Sequence, residues 1–271
     1  MDDGASLVLT DTRATIRARF ETRRREVTVV SADRLTPHMI RVTLHGDLTG
    51  FQSLGFDDHV KLFFADPETG VLTLPEPNMP PVPGAPKPVM RDYTPRRFDV
   101  KTGTLVIDFA LHDAGPATSW ALAARPGDTL HFGGPRGSQI VPIAFDSYLM
   151  IGDDTALPAI GRRLEDLPAG VKVIVVAEVD MPDDRLHFET RADLTVYWVY
   201  RRATHGPRTL NDALKGMWVP QHDVHVWVAC ETSQARLIRE QLIDDHGVNP
   251  KWLKAAAYWR RGEPGAHERL D

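Results

Sequence analysis

Tyr148-Leu149-Met150-Ile151-Gly152-Asp153-Asp154-Thr155-Ala156-Leu157-Pro158 decides how the second half of this chain folds. An unbroken apolar run at strand length fits a strand covered on both faces. Gly152 ends the run. Asp or Thr then caps a helix, which Leu157, Ile160, Leu164 and Leu167 continue along one apolar face. The alternation repeats downstream. Val171–Val179, Leu194–Tyr200 and Val224–Ala229 read as further covered strands. Ala235, Ile238, Leu242 and Ile243 form a second helical face, with Gly247 as its C-cap. Strand–helix alternation of this kind gives a parallel sheet. The expectation is a C-terminal α/β parallel-sheet nucleotide-binding domain over residues 146–264. The turn Gly152–Ala156 can present a helix N-terminus to a diphosphate. It lacks the G-x-G-x-x-G pattern, and it serves equally well as a simple helix cap.

Residues 26–135 read differently. Glu26–Val30, Met39–Leu44, Val60–Phe64, Leu105–His112 and Thr129–Phe132 are short β-branched or alternating runs. Asp66-Pro67-Glu68-Thr69-Gly70 and Arg125-Pro126-Gly127-Asp128 supply turns between them. Such a series predicts an N-terminal antiparallel Greek-key β-barrel, closed and spanning residues 23–145. Leu74–Pro88 holds seven prolines in fifteen residues, so it is a loop. Directly after it come Met90-Arg91-Asp92-Tyr93-Thr94-Pro95-Arg96. A guanidinium, an aromatic ring and a small hydroxyl on one short segment suit a flavin dinucleotide: diphosphate, ring system and reactive nitrogen in turn. An ordinary strand with an exposed arginine would read the same. About twenty residues on, His112-Asp113-Ala114-Gly115-Pro116-Ala117-Thr118-Ser119-Trp120 ends a strand and opens a helix whose first N–H groups can hold an anion.

The chain has 271 residues, 42% of them hydrophobic and 25% charged, as in an ordinary globular protein of two modest domains. The net charge of −5 argues against a nucleic-acid binder. A single cysteine, Cys230, excludes an internal disulfide, a cysteine zinc site and a cysteine-ligated iron–sulfur cluster. No apolar run reaches membrane-spanning length, and no signal-peptide core opens the chain. Residues 1–22 are expected as an N-terminal arm and 265–271 as a tail. The arginines of residues 13–25 read as a solvated arm leading into the first strand, a transit peptide or lipid-binding helix being the alternative. His222 and His225 are close, but no third ligand accompanies them, so no metal site is expected. Val176-Ala177-Glu178-Val179 and Val228-Ala229-Cys230-Glu231-Thr232 end two strands, where open parallel sheets bind ligands. Glu178 and Glu231 are therefore candidate pocket walls. Arg201 and Arg202 follow another strand and could meet a 2′-phosphate or simply lie at the surface. Tyr258-Trp259-Arg260-Arg261 could cover a flavin or greet an anion, or pack as a tail. No serine elbow, zinc-protease or P-loop motif is present.

Taken together, several segments resemble the siderophore-interacting protein family, flavin-dependent ferric-siderophore reductases of the ferredoxin-reductase-like group. They are His59-Val60-Lys61-Leu62, Arg91–Arg96, Asp108-Phe109-Ala110-Leu111-His112, Gly115–Trp120, Gly134-Pro135-Arg136-Gly137-Ser138, Gly152–Pro158 and Tyr258-Trp259-Arg260. The resemblance runs from about residue 24 to 262. It implies FAD in the first half, contacted by Arg91, Asp92, Tyr93, Thr94, Asp108, Phe109, Leu111, His112, Ala117, Thr118, Ser119 and Trp120. It implies NADPH or NADH near Gly152, Asp153, Asp154, Thr155, Ala156, Glu178 and Glu231. An anionic ferric siderophore would meet Lys61, Arg136, Arg260 and Arg261. Asp154 stands where the family usually has glutamate, and Cys230 where glycine is commoner. The implied activity is a relay: nicotinamide hydride to FAD, then single electrons to Fe(III), which is released as Fe(II). No catalytic acid, base or nucleophile is implied. Alternatives are a general flavin or ferric reductase and a non-catalytic siderophore-binding protein. The implied setting is a cytoplasmic monomer.

Overall fold

Alternating burial builds the first half of the molecule. The computed structural model describes residues 13–76, 84, 86–112, 115–220, 223–263 and 268–270. The expectations for residues 1–12, for most of the proline loop, for Asp113 and Ala114, for His222 and for part of the tail fall outside the described residues. Arginine-rich Ile16–Arg19 forms strand β1, which pairs with β9 (Gly137–Ile140), so this part of the expected arm is tied to the body. In β2 (Arg24–Thr36), Val27 and Val29 point inward while Glu26, Thr28 and Val30 face out. β3 (Met39–Gly46), β4 (Val60–Phe64), β5 (Val89–Tyr93), β6 (Pro95–Asp99), β7 (Thr104–Ala110) and β8 (Thr129–Gly133) complete a seven-stranded antiparallel sheet in the order β5-β4-β8-β2-β3-β7-β6. Only Thr94 separates the two edge strands β5 and β6 in sequence, so the sheet curls back on itself. Leu44, Leu62, Leu105, Phe109 and Phe132 fill its interior. Each such side chain contributes about 1.5–3 kcal/mol by leaving water, and Phe109→Ala would cost about 3–5 kcal/mol. Helix α1 (Pro116–Ala123) lies against β3, β4 and β7, burying Ala117 and Ala121.

The second sheet has the order β12-β11-β10-β13-β14-β15. Its strands are β10 (Ser147–Asp153), β11 (Lys172–Val179), β12 (Asp193–Tyr200), β13 (Val224–Glu231) and β14 (Leu253–Trp259), all parallel, with β15 (Glu268–Arg269) antiparallel at the edge. In β10, β11 and β13 the apolar runs follow from two covers, whereas β12, expected to be covered on both faces, lies at the sheet edge and alternates, leaving Thr195 and Tyr197 exposed. Tyr148 and Met150 pack on the side of helix α2 (Leu157–Asp166), while Leu149 and Ile151 pack on the side of α3 (Leu210–Leu214) and α4 (Thr232–Asp244). Gly247, at φ 66°, closes α4, with its N–H donating to the Ile243 carbonyl. The chain runs outward from β10 in one direction to β12 and in the other to β14. The crevice between β10 and β13 is therefore the topological switch point.

Polar contacts tie the halves together. The buried Arg163 donates to the carbonyls of Val141 and Pro142 in the connector and lies 4.7 Å from the Tyr148 ring. Asp57 accepts from Trp227 Nε1 at 3.1 Å and pairs with Lys254. Arg96 and Arg97 share Glu165, and His38 meets Asp184 at 2.9 Å. Gly161 makes the Arg96 contact possible, since a Cβ there would lie 2.9 Å from the guanidinium.

Candidate functional site

The first half presents donors with spare capacity. Strand β5 carries Arg91 at the edge of the sheet, where its drawn hydrogen bond is to the carbonyl of Met90 at 2.8 Å. Its remaining N–H groups match what a diphosphate requires. Tyr93 lies 4.5 Å from Phe109, and Phe109 lies 5.6 Å from Trp120, so an aromatic layer backs this edge. Burial pushes the Tyr93 hydroxyl up, which keeps it neutral. Thr94 is buried, with its side chain near the hydroxyl of Tyr258 in β14. At α1, the N-cap is Gly115, with no side-chain cap, and no acidic residue occupies the first turn. Its leading N–H groups and dipole favour an anion. Asp108 and Phe109 sit behind this surface. Asp108 is buried and salt-bridged to Arg41 at 2.7 Å, and Phe109 is wholly enclosed. Leu111 packs against the same core and donates its N–H to the His38 carbonyl.

The second half presents carboxylates already in use. Gly152 is required by packing: a Cβ would lie 2.4 Å from that of Ala156 and 2.8 Å from the Ala229 carbonyl. Asp153 accepts from the Thr155 N–H at 3.0 Å and from Trp259 Nε1 at 2.7 Å. Burial, then the neighbouring Asp154 charge, raises its pKa. For Asp154, burial works in the same direction but is outweighed by His112 and Arg201, which hold it ionised. Arg201, just past β12, donates to Asp154 at 2.9 Å, Glu178 at 2.8 Å and Asp180 at 2.7 Å. Glu178 also accepts from the Leu210 N–H. Glu231 caps α4, accepting from the N–H groups of Ser233 and Gln234 and from that of Arg261. Cys230 is buried, and burial raises its thiol pKa, so it is inert as a nucleophile.

Between the halves lies a cleft of about 420 Å³, lined by His112, Glu178, Arg201, Glu231, Trp259 and Arg261 among others. His112 reaches it from the first half, stacking on Trp259 at 5.8 Å and meeting Asp154 Oδ1 at 3.3 Å. The four expected siderophore cations fall in two places. Lys61 lies opposite Gly133 and is paired to Asp92 at 2.7 Å, and exposed Arg136 follows three residues after Gly133. Arg260, paired to Glu263 at 3.1 Å, and Arg261 lie past the end of β14. Sequence reasoning missed Ser233 and Gln234 as wall residues and Arg201 as a hub for three carboxylates. The available signal was that Glu178 lies near the end of its apolar run and Asp154, Asp180 and Arg201 directly follow strand ends on one edge of a parallel sheet. Among the described residues, no three histidine, cysteine or acidic side chains gather as a metal site, and no helix is long and apolar enough to cross a membrane.

Residues 28–139 match the model of the siderophore-interacting FAD-binding domain, and residues 145–262 match that of the siderophore-interacting protein. The chain is 35% identical over 249 residues to the NADPH-dependent ferric-chelate reductase of Escherichia coli (strain K12), covering 90% of this chain and 95% of that protein. It is 33% identical over 242 residues to the ferric vibriobactin reductase of Vibrio cholerae, covering 86% and 89%. The crystal structure of a siderophore utilization protein from T. fusca superposes with a TM-score of 0.84 at 37% identity, covering 93% of this chain and 98% of that one. The ferredoxin reductase in carbazole 1,9a-dioxygenase shares the fold, with a TM-score of 0.59 at 17% identity. This chain belongs to the siderophore-interacting protein family, and its first half is that family's FAD-binding domain.

Proposed function

We propose that this protein is a ferric-siderophore reductase that uses FAD and NADPH or NADH. The observation that carries the reading is the pairing, in one molecule, of a first half with an uncapped α1 N-terminus and the edge arginine Arg91, and a second half with a strand-end cleft at the switch point of its sheet. The donor set fits FAD: Arg91 and the α1 N–H groups would hold its diphosphate, and Tyr93 and Thr94 would lie along its ring system. When bound, FAD supplies the link between a two-electron hydride donor and a one-electron ferric acceptor. The chain's own groups bind and orient. The His112–Trp259 stack, with Tyr258 lying near Thr94, joins the two halves where donor and acceptor must meet. Trp259 shields Asp153 from water. The nicotinamide nucleotide enters the cleft beside Glu178, Glu231 and Arg261.

Hard oxygen chelators hold Fe(III) far better than Fe(II), so reduction alone releases the metal. An anionic ferric siderophore would be drawn by Lys61 and Arg136 at one place or by Arg260 and Arg261 at the other, on a chain of net charge −5. Residues 23–145 and 146–264 act as the FAD and nicotinamide domains, and the protein works in the cytoplasm as a monomer. The names of the Escherichia coli and Vibrio cholerae relatives support the ferric acceptor. The test is direct. Anaerobic NADPH or NADH should bleach the flavin band, and a ferric siderophore should restore it faster than a simple ferric chelate does. Equal rates with both acceptors would favour a general ferric reductase. A protein that cannot be loaded with FAD would overturn the reading.

A further inference from the structure

The reaction proposed above has a proton to dispose of. One NAD(P)H gives up a hydride, which is two electrons and one hydrogen nucleus. Two ferric ions take one electron each. The products are NAD(P)+, two ferrous ions and one proton, and that proton must leave the site for water.

Few groups lining the cleft can carry it. Arg201 and Arg261 do not titrate in the working range. Glu178 is held by Arg201 and the Leu210 N–H, and Glu231 is committed to capping α4. Asp153 is closed off by Trp259 and Thr155. His112 is the cleft-lining side chain, among the described residues, whose ordinary titration lies near neutrality. Its side chain is 41% exposed, while its Nε2 lies 3.3 Å from Asp154 Oδ1, a buried carboxylate oxygen with no hydrogen-bond partner among the described residues. The other oxygen, Oδ2, takes two N–H groups of Arg201, so the two oxygens have divided roles. Trp259 fixes the ring plane by stacking. His112 also stands three residues before Gly115, the cap of the helix expected to hold the diphosphate. Trp259 follows Tyr258, whose hydroxyl lies near Thr94. The histidine thus stands in the cleft wall on the side of the first half, partly open to water.

We propose that His112, oriented by Asp154, is the base that takes up the proton released as electrons pass to iron and hands it to water. The inference rests on the reductase reading. Burial works against the charged ring, but the nearby Asp154 carboxylate, helped by the charge of Asp153, outweighs it. Arg201 opposes them, and the pKa is raised. A base titrating near the working pH is the efficient kind.

The test uses the FAD-loaded protein with His112→Gln and Asp154→Asn. The ratio of the rate of recolouring by ferric siderophore to the rate of bleaching by NAD(P)H should fall about 100-fold in His112→Gln, within the span of general acid–base effects. Hydride delivery needs no base, so bleaching should suffer much less. Wild-type recolouring should quicken as pH rises through the His112 pKa read by NMR on the same protein, and His112→Gln should be flat. In Asp154→Asn the NMR pKa of His112 should fall. An unchanged ratio and pH profile in His112→Gln would overturn the proposal, as would a His112 pKa indifferent to Asp154→Asn. So would loss of FAD from His112→Gln while Asp154→Asn keeps FAD and the wild-type ratio, which would make His112 a binding residue only. Failure of the wild type to bleach would instead sink the reductase reading itself.

Discussion

The two halves offer a ligand opposite kinds of surface. In the first, the α1 N-terminus has no side-chain cap and Arg91 spends one hydrogen bond on a neighbouring carbonyl. In the second, Glu231 already caps α4, and Arg201 is shared among Asp154, Glu178 and Asp180. Unmet donors suit a ligand that stays. Strand ends that satisfy one another suit a ligand that comes and goes, because whatever enters must compete with bonds the protein makes to itself. That difference is what a resident dinucleotide and a transient hydride donor require.

The largest effect should come from the first half. Arg91→Ala removes a charge-assisted contact worth about 1.5–3 kcal/mol, so FAD affinity should fall roughly 10- to 100-fold. Flavin fluorescence titration measures it, and unchanged affinity would erase the contrast. Next, Arg201→Met strands three carboxylates on one strand edge. Loss of one partner of a buried cluster costs about 3–5 kcal/mol; with Arg201 side-chain exposure at 26%, about 2 kcal/mol is expected by denaturant unfolding. FAD affinity should barely move. Third, Glu231→Ala removes the α4 cap and should cost about 1 kcal/mol of stability. It should also tighten nicotinamide binding a few-fold, since a competing carboxylate is gone. Weaker binding would show that Glu231 is a direct ligand contact.

The smallest effect concerns the seam between the halves. Burial opposes the Glu165 charge, but Arg96 and Arg97 outweigh it and hold its carboxyl at about 2, against an ordinary 4.5. A depressed folded pKa contributes stability that is complete above the unfolded value and is lost as pH falls towards 2. Glu165→Gln should therefore flatten the acid limb of the unfolding midpoint measured from roughly pH 5 to 2, while leaving neutral-pH bleaching intact.

Sequence alone carried the second sheet well, because runs such as Val173–Val179 and Val224–Ala229 are apolar on both faces and need no partner to be recognised. The Arg91–Thr94 segment was legible for a similar reason, since three chemically distinct side chains sit on consecutive residues. What stayed hidden depends on register and on distance along the chain. Lys61 stands out as a basic residue, yet its cross-strand partner is Asp92, which only the β4–β5 pairing reveals. Asp57 reaches Trp227 and Lys254 from the far half of the chain. β1 alternates over only four residues, two of them arginines and with Ile16 exposed, and its pairing with β9 is what makes it a strand. The fate of Arg201 could not be told from a surface arginine until three strand ends were brought to one edge.

The central claim is that electrons cross from nicotinamide to ferric siderophore through FAD held in the first half. The most direct test is an anaerobic count under turnover, with Fe(II) captured by a strong ferrous chelator and nicotinamide oxidation followed in the same cuvette. The account predicts two ferrous ions captured for each nicotinamide oxidised, with FAD-depleted protein inactive and activity restored by added FAD. Ferrous release that continues at the same rate without FAD, or nicotinamide oxidation with no ferrous yield, would contradict it.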